Sequence, residues 1–250
     1  MNDAGSSAKP MLQVRGLTKR FGGFTAVNNV AFEVAKGELL GLIGPNGSGK
    51  STTFNLVAGT LKPSAGSILF EGEEIAGMSA DRVAHRGLAR TFQIPRPFRK
   101  LSLRDNVALA AYYGQAGRVS RARAAEQAEA ALDLVGLPSG PNATTDGLGA
   151  AGLKKLELAR ALAMQPKLLL ADESLGGLDW AEMDQAASML ERIRREMGIT
   201  IVWVEHIMGV LMRVVDRVVV LDHGEVIFTG LPSEAARDPR VAEVYLGKAH

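Results

Sequence analysis

Gly44-Pro45-Asn46-Gly47-Ser48-Gly49-Lys50-Ser51-Thr52 decides the reading of this chain. It satisfies the pattern G-x-x-x-x-G-K-[ST] in full. The apolar run Leu39-Leu40-Gly41-Leu42-Ile43 before it predicts a buried strand. Ser51 to Ala58 after it predicts a helix that Gly59 ends. Strand, glycine-rich turn and helix in that order give the pattern its meaning. Gly44, Gly47 and Gly49 let the backbone turn sharply and bring its N–H groups against a phosphate. The N-terminus of the helix adds the positive end of its dipole. Lys50 carries a compact charge to the β- and γ-phosphates, and the Ser51 hydroxyl suits Mg²⁺. The stretch therefore implies a nucleoside triphosphate.

Composition narrows what surrounds the loop. A length of 250 residues, 46% of them hydrophobic and 22% charged, allows one core with a smaller lobe. Lys and Arg number 29 against 27 Asp and Glu, a net charge of +2, which is no electrostatic footprint of a nucleic-acid binder. There is no cysteine, hence no disulfide framework, and the four histidines have no metal-ligand spacing. Met1 to Pro10 lacks the apolar stretch of a signal peptide and predicts a loose tail. No run reaches the length of a membrane span, so a cytosolic location is expected.

Outward from the loop, the chain alternates strand and helix. Met11 to Val14 and Ala31 to Val34 predict strands of an N-terminal antiparallel sheet, with Phe21-Gly22-Gly23 turning between them. Ser67 to Phe70 is a further strand, and Asp81 to Gly87 one or two helical turns. Leu103 to Tyr113, Ala124 to Val135 and Leu153 to Met164 predict helices. Lys167 to Ala171 and Thr200 to Val204 predict strands, and Ala181 to Met197 and Ile207 to Arg213 helices. Val215 to Leu221 and Glu225 to Thr229 pair as a hairpin across Asp222-His223-Gly224. The expected fold is α/β, with a P-loop NTPase (RecA-like) core, an N-terminal antiparallel β-subdomain and a helical insertion near residues 94–160.

A second apolar strand, Leu168 to Ala171, ends in Asp172-Glu173. Open α/β sheets bind ligands at the carboxyl ends of their strands, and two adjacent acids there call for a cation or a proton. Asp172 suits the Mg²⁺ shell, and Glu173 suits a base that orients or deprotonates an attacking water. Val202-Trp203-Val204-Glu205-His206 is another buried strand ending in a polar pair. His206 is able to donate to a γ-phosphate oxygen and Gln93 to hold Mg²⁺ or water. In isolation each is more simply an ordinary surface residue; only their order along the chain lifts them.

That order resembles the nucleotide-binding subunit of ABC transporters, over roughly residues 11–247. The resemblance implies ATP as the nucleotide. It makes Phe21 the aromatic that stacks on adenine, Gly44 to Thr52 Walker A, and Gln93 the glutamine at the hinge of the helical subdomain. It makes Asp172 and Glu173 Walker B and the catalytic carboxylate, Gly177-Leu178-Asp179 the D-loop, and His206 the switch histidine. Ala26-Val27-Asn28 after Gly23, Ala89-Arg90-Thr91-Phe92-Gln93, Leu156 to Ala163, Glu205-His206 and the ending Val244-Tyr245-Leu246-Gly247 resemble the branched-chain amino-acid importer group. That group implies a transmembrane permease pair, a periplasmic solute-binding protein reached through it, and a place on the cytoplasmic face of the inner membrane. A soluble ABC-type ATPase without a membrane partner, and the ATPase of an exporter or lipopolysaccharide-type system, are the alternatives.

The chain departs from the family at one motif. Where LSGGQ is common, it reads Leu148-Gly149-Ala150-Ala151-Gly152, and Ser174 stands where proline is usual. In the family each ATP lies between Walker A of one subunit and the signature of the other. Gly149 would therefore act on the partner's ATP. The missing hydroxyl removes a hydrogen bond to charged phosphate worth roughly 1.5–3 kcal/mol, or roughly ten- to 150-fold in rate. Intact catalytic motifs beside a substituted signature lead to the expectation of a heterodimer with a second ABC ATPase subunit, with a homodimer as the alternative. Gln93 to Lys100 is a basic loop with Ile94 and Phe98 expected to be exposed, in the region where the family receives the membrane subunit.

Overall fold

The computed structural model describes residues 9–172, 179–205 and 208–246. In chain order the elements are β1 (Leu12–Phe21), β2 (Phe24–Val34), β3 (Leu39–Ile43), α1 (Lys50–Val57), β4 (Ala65–Phe70), β5 (Glu73–Glu74), α2 (Ala80–Ala84) and β6 (Leu88–Arg90). The helical insertion follows as α3 (Leu103–Gly114), α4 (Arg121–Val135) and α5 (Ala150–Ala163). The chain then runs through β7 (Leu168–Asp172), α6 (Trp180–Met197), β8 (Thr200–Val204), α7 (Met208–Val214), β9 (Arg217–Asp222), β10 (Glu225–Gly230), α8 (Pro232–Ala235) and α9 (Pro239–Leu246).

Two sheets result. β2-β1-β4-β5 is antiparallel, and β10-β9-β3-β8-β7-β6 is parallel except at its β10 edge. The strands of the parallel sheet are apolar without a break because both faces are covered. Alternation sorts them. Leu39, Ile43, Leu169, Ala171, Ile201, Trp203, Val218 and Val220 pack toward the helical layer. Leu40, Leu42, Leu168, Leu170, Val202, Val204, Val219 and Leu221 pack with β1, β2, β4 and α1. The parallel sheet is thus the shared wall of two cores.

Several boundaries differ from expectation. β1 and β2 run to 10 and 11 residues because irregular register shifts let the hairpin continue past Val14. Leu88–Arg90, to which the sequence assigns no element, is an edge strand paired to β7. α4 starts at Arg121, where the Ser120 hydroxyl accepts from the Arg123 N–H. α5 starts at Ala150, three residues before the expected Leu153, so Ala150 to Gly152 form its first turn and do not precede it.

Candidate nucleotide site

β3, β6, β7 and β8 run parallel, so their carboxyl ends share one edge of the sheet. That edge carries the loop from Gly44, Asp172 at the last position of β7, Glu205 just after β8, and Thr91 to Gln93 after β6. Register makes the juxtaposition close: Leu42 lies beside Val204, and Val204 beside Asp172. Four separate sequence segments are thereby brought to one edge of the sheet. Glu173 and His206, and Gly177 and Leu178 of the D-loop segment, lie outside the described residues.

The loop is held from several sides. A Cβ at Gly44 would stand 2.2 Å from the Leu221 carbonyl and 2.5 Å from Ser48 Oγ, at a φ of +154°. At Gly49, φ +100°, it would stand 2.8 Å from the Ala26 carbonyl. Both glycines are therefore required by close approach as well as by dihedral. Lys50 is buried, and its Nζ donates to the carbonyls of Gly44 (2.7 Å) and Pro45 (2.8 Å), which keeps the ammonium over the turn. Pro45 is half-buried and Asn46 and Gly47 are exposed; Ser51 is exposed and Thr52 half-buried in the first turn of α1. A backbone turn closed to side chains at Gly44 and Gly49, an ammonium above it and a hydroxyl beside it fit a nucleotide phosphate chain.

The β9–β10 hairpin is a second brace, and its contact with the loop was not legible in the sequence. Asp222 and Glu225 pair across His223 and Gly224, whose φ values of 45° and 83° make the tight two-residue turn that the sequence suggested. The Gly224 N–H donates to the Ser48 carbonyl (3.0 Å), and its carbonyl accepts from the Asn28 N–H (2.8 Å). Asn28 also donates through Nδ2 to Glu225 (2.6 Å). From α9, Tyr245 packs on the helical-side core, and burial pushes its hydroxyl up to about 12, partly offset by the backbone N–H of Gly44.

Asp172 is buried, and its Oδ2 accepts from Arg90 Nη2 at 2.6 Å, while its N–H donates to Thr91 Oγ1 at 3.0 Å. The sequence points Asp172 toward Mg²⁺, and the structure adds an arginine to it. No group of three or more His, Cys, Asp or Glu able to hold a metal occurs among the described residues. Ser51 and Asp172 instead fit the Mg²⁺ mode in which a hydroxyl and one carboxylate complete a shell otherwise made of phosphate oxygens and water. Gln93 is exposed beyond β6. Phe21 closes β1 at the turn, 46% exposed, with Lys19 Nζ 5.1 Å from its ring centre.

The second helix N-terminus is built differently. Gly149 is the N-cap of α5 in extended conformation, exposed, and a Cβ there meets nothing within 4 Å. Leu148 packs on the helical core, Ala150 is exposed, and a Cβ at Gly152 meets only the Leu148 side chain, at 2.9 Å. Asp179 caps α6, accepting from Glu182 N–H (2.8 Å) while Glu182 Oε2 accepts from Asp179 N–H (3.0 Å). Further along α5, burial raises the Glu157 carboxyl, opposed by Arg160. Arg160 donates to Glu157 (2.9 Å) and to the Arg96 carbonyl (3.0 Å) and lies over Phe98. It thereby ties the loop after Gln93 to α5. Ile94 and Phe98 of that loop are exposed, as expected.

Comparison with known proteins agrees with this geometry. The family described as ABC transporter matches residues 27–176, and one described as Branched-chain amino acid ATP-binding cassette transporter matches residues 225–250. The high-affinity branched-chain amino acid transport ATP-binding protein BraF of Pseudomonas aeruginosa is 34% identical, over 97% of this chain and 100% of its own. The crystal structure of an ATP-binding cassette of an ABC transporter in its ADP conformation superposes with a TM-score of 0.86 at 27% identity, over 96% of this chain and 100% of that one. A dimeric bacterial ABC transporter cassette gives 0.79 at 27% identity, over 89% and 99%. No helix among the described residues is long and apolar enough to cross a membrane. The chain belongs to the ATP-binding cassette family of ABC transporters, as one of its ATPases.

Proposed function

We propose that the chain powers solute import, of branched-chain or related amino acids, through separate transmembrane subunits on the cytoplasmic face of the inner membrane. The observation that carries this reading is the final segment. Residues 225–250 match a family confined by description to branched-chain amino-acid cassettes, and that segment includes Ile227 of β10 and Arg240 and Val244 of α9, which line a cavity together with Pro45 to Ser48 of the phosphate loop. A periplasmic solute-binding protein would deliver the solute, and nucleic acid plays no part.

In this reading the loop from Gly44 to Thr52 holds the phosphates of ATP, with Lys50 on the β- and γ-oxygens, and Phe21 stacks on the adenine. Ser51, Asp172 and Gln93 would hold Mg²⁺, which when bound draws charge from the phosphate oxygens. Glu173 positions and deprotonates the attacking water, and His206 stabilises the γ-phosphate as charge develops. ATP binding closes the cassette on a partner cassette, and hydrolysis reopens it. Leu148 to Gly152 faces the partner's ATP, and Asp179 lies in the segment that crosses between the two. With Gly149 lacking a hydroxyl, the partner is a second, different ABC ATPase subunit, and the site completed by Gly149 is the weaker of the two.

The test is the pair of measurements that separates binding from chemistry. Glu173→Gln should keep ATP affinity and lower turnover by about 10²-fold or more, within the usual reach of a general base. Wild-type turnover in that variant would reject Glu173 as the base. Copurification with permease subunits encoded beside this chain, and ATPase stimulation by them, tests the membrane partnership.

A further inference from the structure

Arg90 is a half-buried cation at the sheet edge to which the assigned roles give no task. It sits at the end of β6, three residues before Gln93, and its side chain is 11% exposed. Its two terminal nitrogens go to different elements. Nη2 donates to Asp172 Oδ2 and Nη1 to Asn55 Oδ1, both at 2.6 Å. Asn55 lies on α1, the helix that opens with Lys50 and Ser51. The guanidinium is flanked by the ring of Phe92, 5.2 Å away, and by that of Phe54, 6.0 Å away.

An arginine held by two charge-assisted or polar contacts and two aromatic faces has little freedom to move. The fork therefore sets the spacing between α1 and the tip of β7. It also engages one carboxylate oxygen of Asp172, which fixes how the carboxylate is turned. A lysine has a single nitrogen and cannot span both partners.

We propose that Arg90 is a positioning residue for hydrolysis: it fixes the rotamer of Asp172 relative to Lys50 and Ser51, and so aligns the metal-holding carboxylate with the phosphate loop. The inference rests on the reading of Asp172 as the metal-holding acid.

The experiment uses the full chain with Arg90→Met, Arg90→Lys, Asn55→Ala, Asp172→Asn and the double variant Arg90→Met/Asp172→Asn. ATP affinity measured in EDTA should stay within about twofold of wild type in Arg90→Met, since the loop and Lys50 are untouched. The kcat for ATP with Mg²⁺ should fall by about 10²-fold, the scale of a 1 Å misplacement. Arg90→Lys, which keeps a charge on Asp172, should recover at least about tenfold of that loss, and Asn55→Ala should fall between. In chemical unfolding of the chain without nucleotide, the double variant should be more stable than Arg90→Met alone, because it removes the stranded carboxylate. Wild-type kcat in Arg90→Met overturns the proposal. Equal loss in Arg90→Met and Arg90→Lys with Asn55→Ala unaffected assigns Arg90 to packing and also overturns it. Wild-type kcat in Asp172→Asn would instead show that the reading of Asp172 is wrong. If Arg90→Met does not fold, Arg90→Lys and Asn55→Ala carry the test.

Discussion

The turn at Gly44 and the turn at Gly149 each deliver the chain to a helix N-terminus, and they are built in opposite ways. At the first, a single added carbon would strike the Leu221 carbonyl, and Ser48 and Lys50 are tied by hydrogen bonds to their surroundings. At the second, an added carbon meets open space and the helix starts without a side-chain cap. One region carries its shape within a single chain. The other offers bare backbone at an exposed surface, which is what the proposed role across an interface requires. The difference teaches where substitutions should be felt: at Gly44 in folding and binding together, at Gly149 in the activity of an assembled pair.

The largest effect that sharpens the contrast is at the first turn. Gly44→Ala forces a Cβ into two neighbours at a positive φ and should cost about 3 kcal/mol of stability, from strain and overpacking together. ATP affinity should fall at least about tenfold with it. Chemical unfolding and an equilibrium nucleotide titration check both, and a variant as stable as wild type would break the comparison. Next comes Gly149→Ser. A hydroxyl at this N-cap should be sterically free and should stabilise α5 by about 0.3 kcal/mol. In the complex with the partner ATPase it should raise turnover by about tenfold, the lower end of what the lost hydrogen bond is worth. Thermal melting of the chain and ATPase assays of the complex read the two parts separately. Equal hydrolysis per site in a homodimer, unchanged by the serine, argues against the heterodimer.

The smallest effect lies at the far side of the phosphate loop. Burial holds the Tyr245 hydroxyl in its neutral form up to about 12, whereas in the unfolded chain it ionises near its ordinary value of 10.0. Between those two values the folded chain keeps a proton that the unfolded chain has released. Stability conferred by the neutral phenol is therefore fully present below pH 10 and lost as pH rises toward 12. Tyr245→Phe should flatten that part of the unfolding profile, and an unchanged slope would remove Tyr245 from the loop's surroundings.

What the sequence disclosed was mostly local. The strand, loop and helix from Leu39 to Val57 and the hairpin at His223-Gly224 each follow from a few adjacent residues, and both are present. Thr200–Val204 even has the expected bounds, because Gly198 and the polar pair after Val204 punctuate it. The start of α5 was misplaced because Ala150, Ala151 and Gly152 carry no capping side chain, so nothing marked the helix entry. β6 was too short, at three residues, to show a period. The arginine on Asp172 was invisible for a different reason: 82 residues separate the two in sequence, and only the parallel pairing of β6 with β7 brings them together. Ion pairs of that range are a property of topology, which residue patterns determine only after the sheet order is known.

The brace at Gly224 has a consequence for the making of the protein. The loop begins at residue 44, yet the carbonyl and N–H that fit against it belong to Leu221 and Gly224, and β3 is hydrogen-bonded between β8 and β9. A ribosome must therefore add roughly nine-tenths of the chain before the strand and its loop have all of these neighbours. Until then the apolar strand from Leu39 to Ile43 has no flanking partner in its sheet, exposed to the same non-local pairing delay that makes such sheets slow to fold. Synthesis from the N-terminus thus completes the phosphate loop's surroundings and the wall shared by both cores at the same late stage.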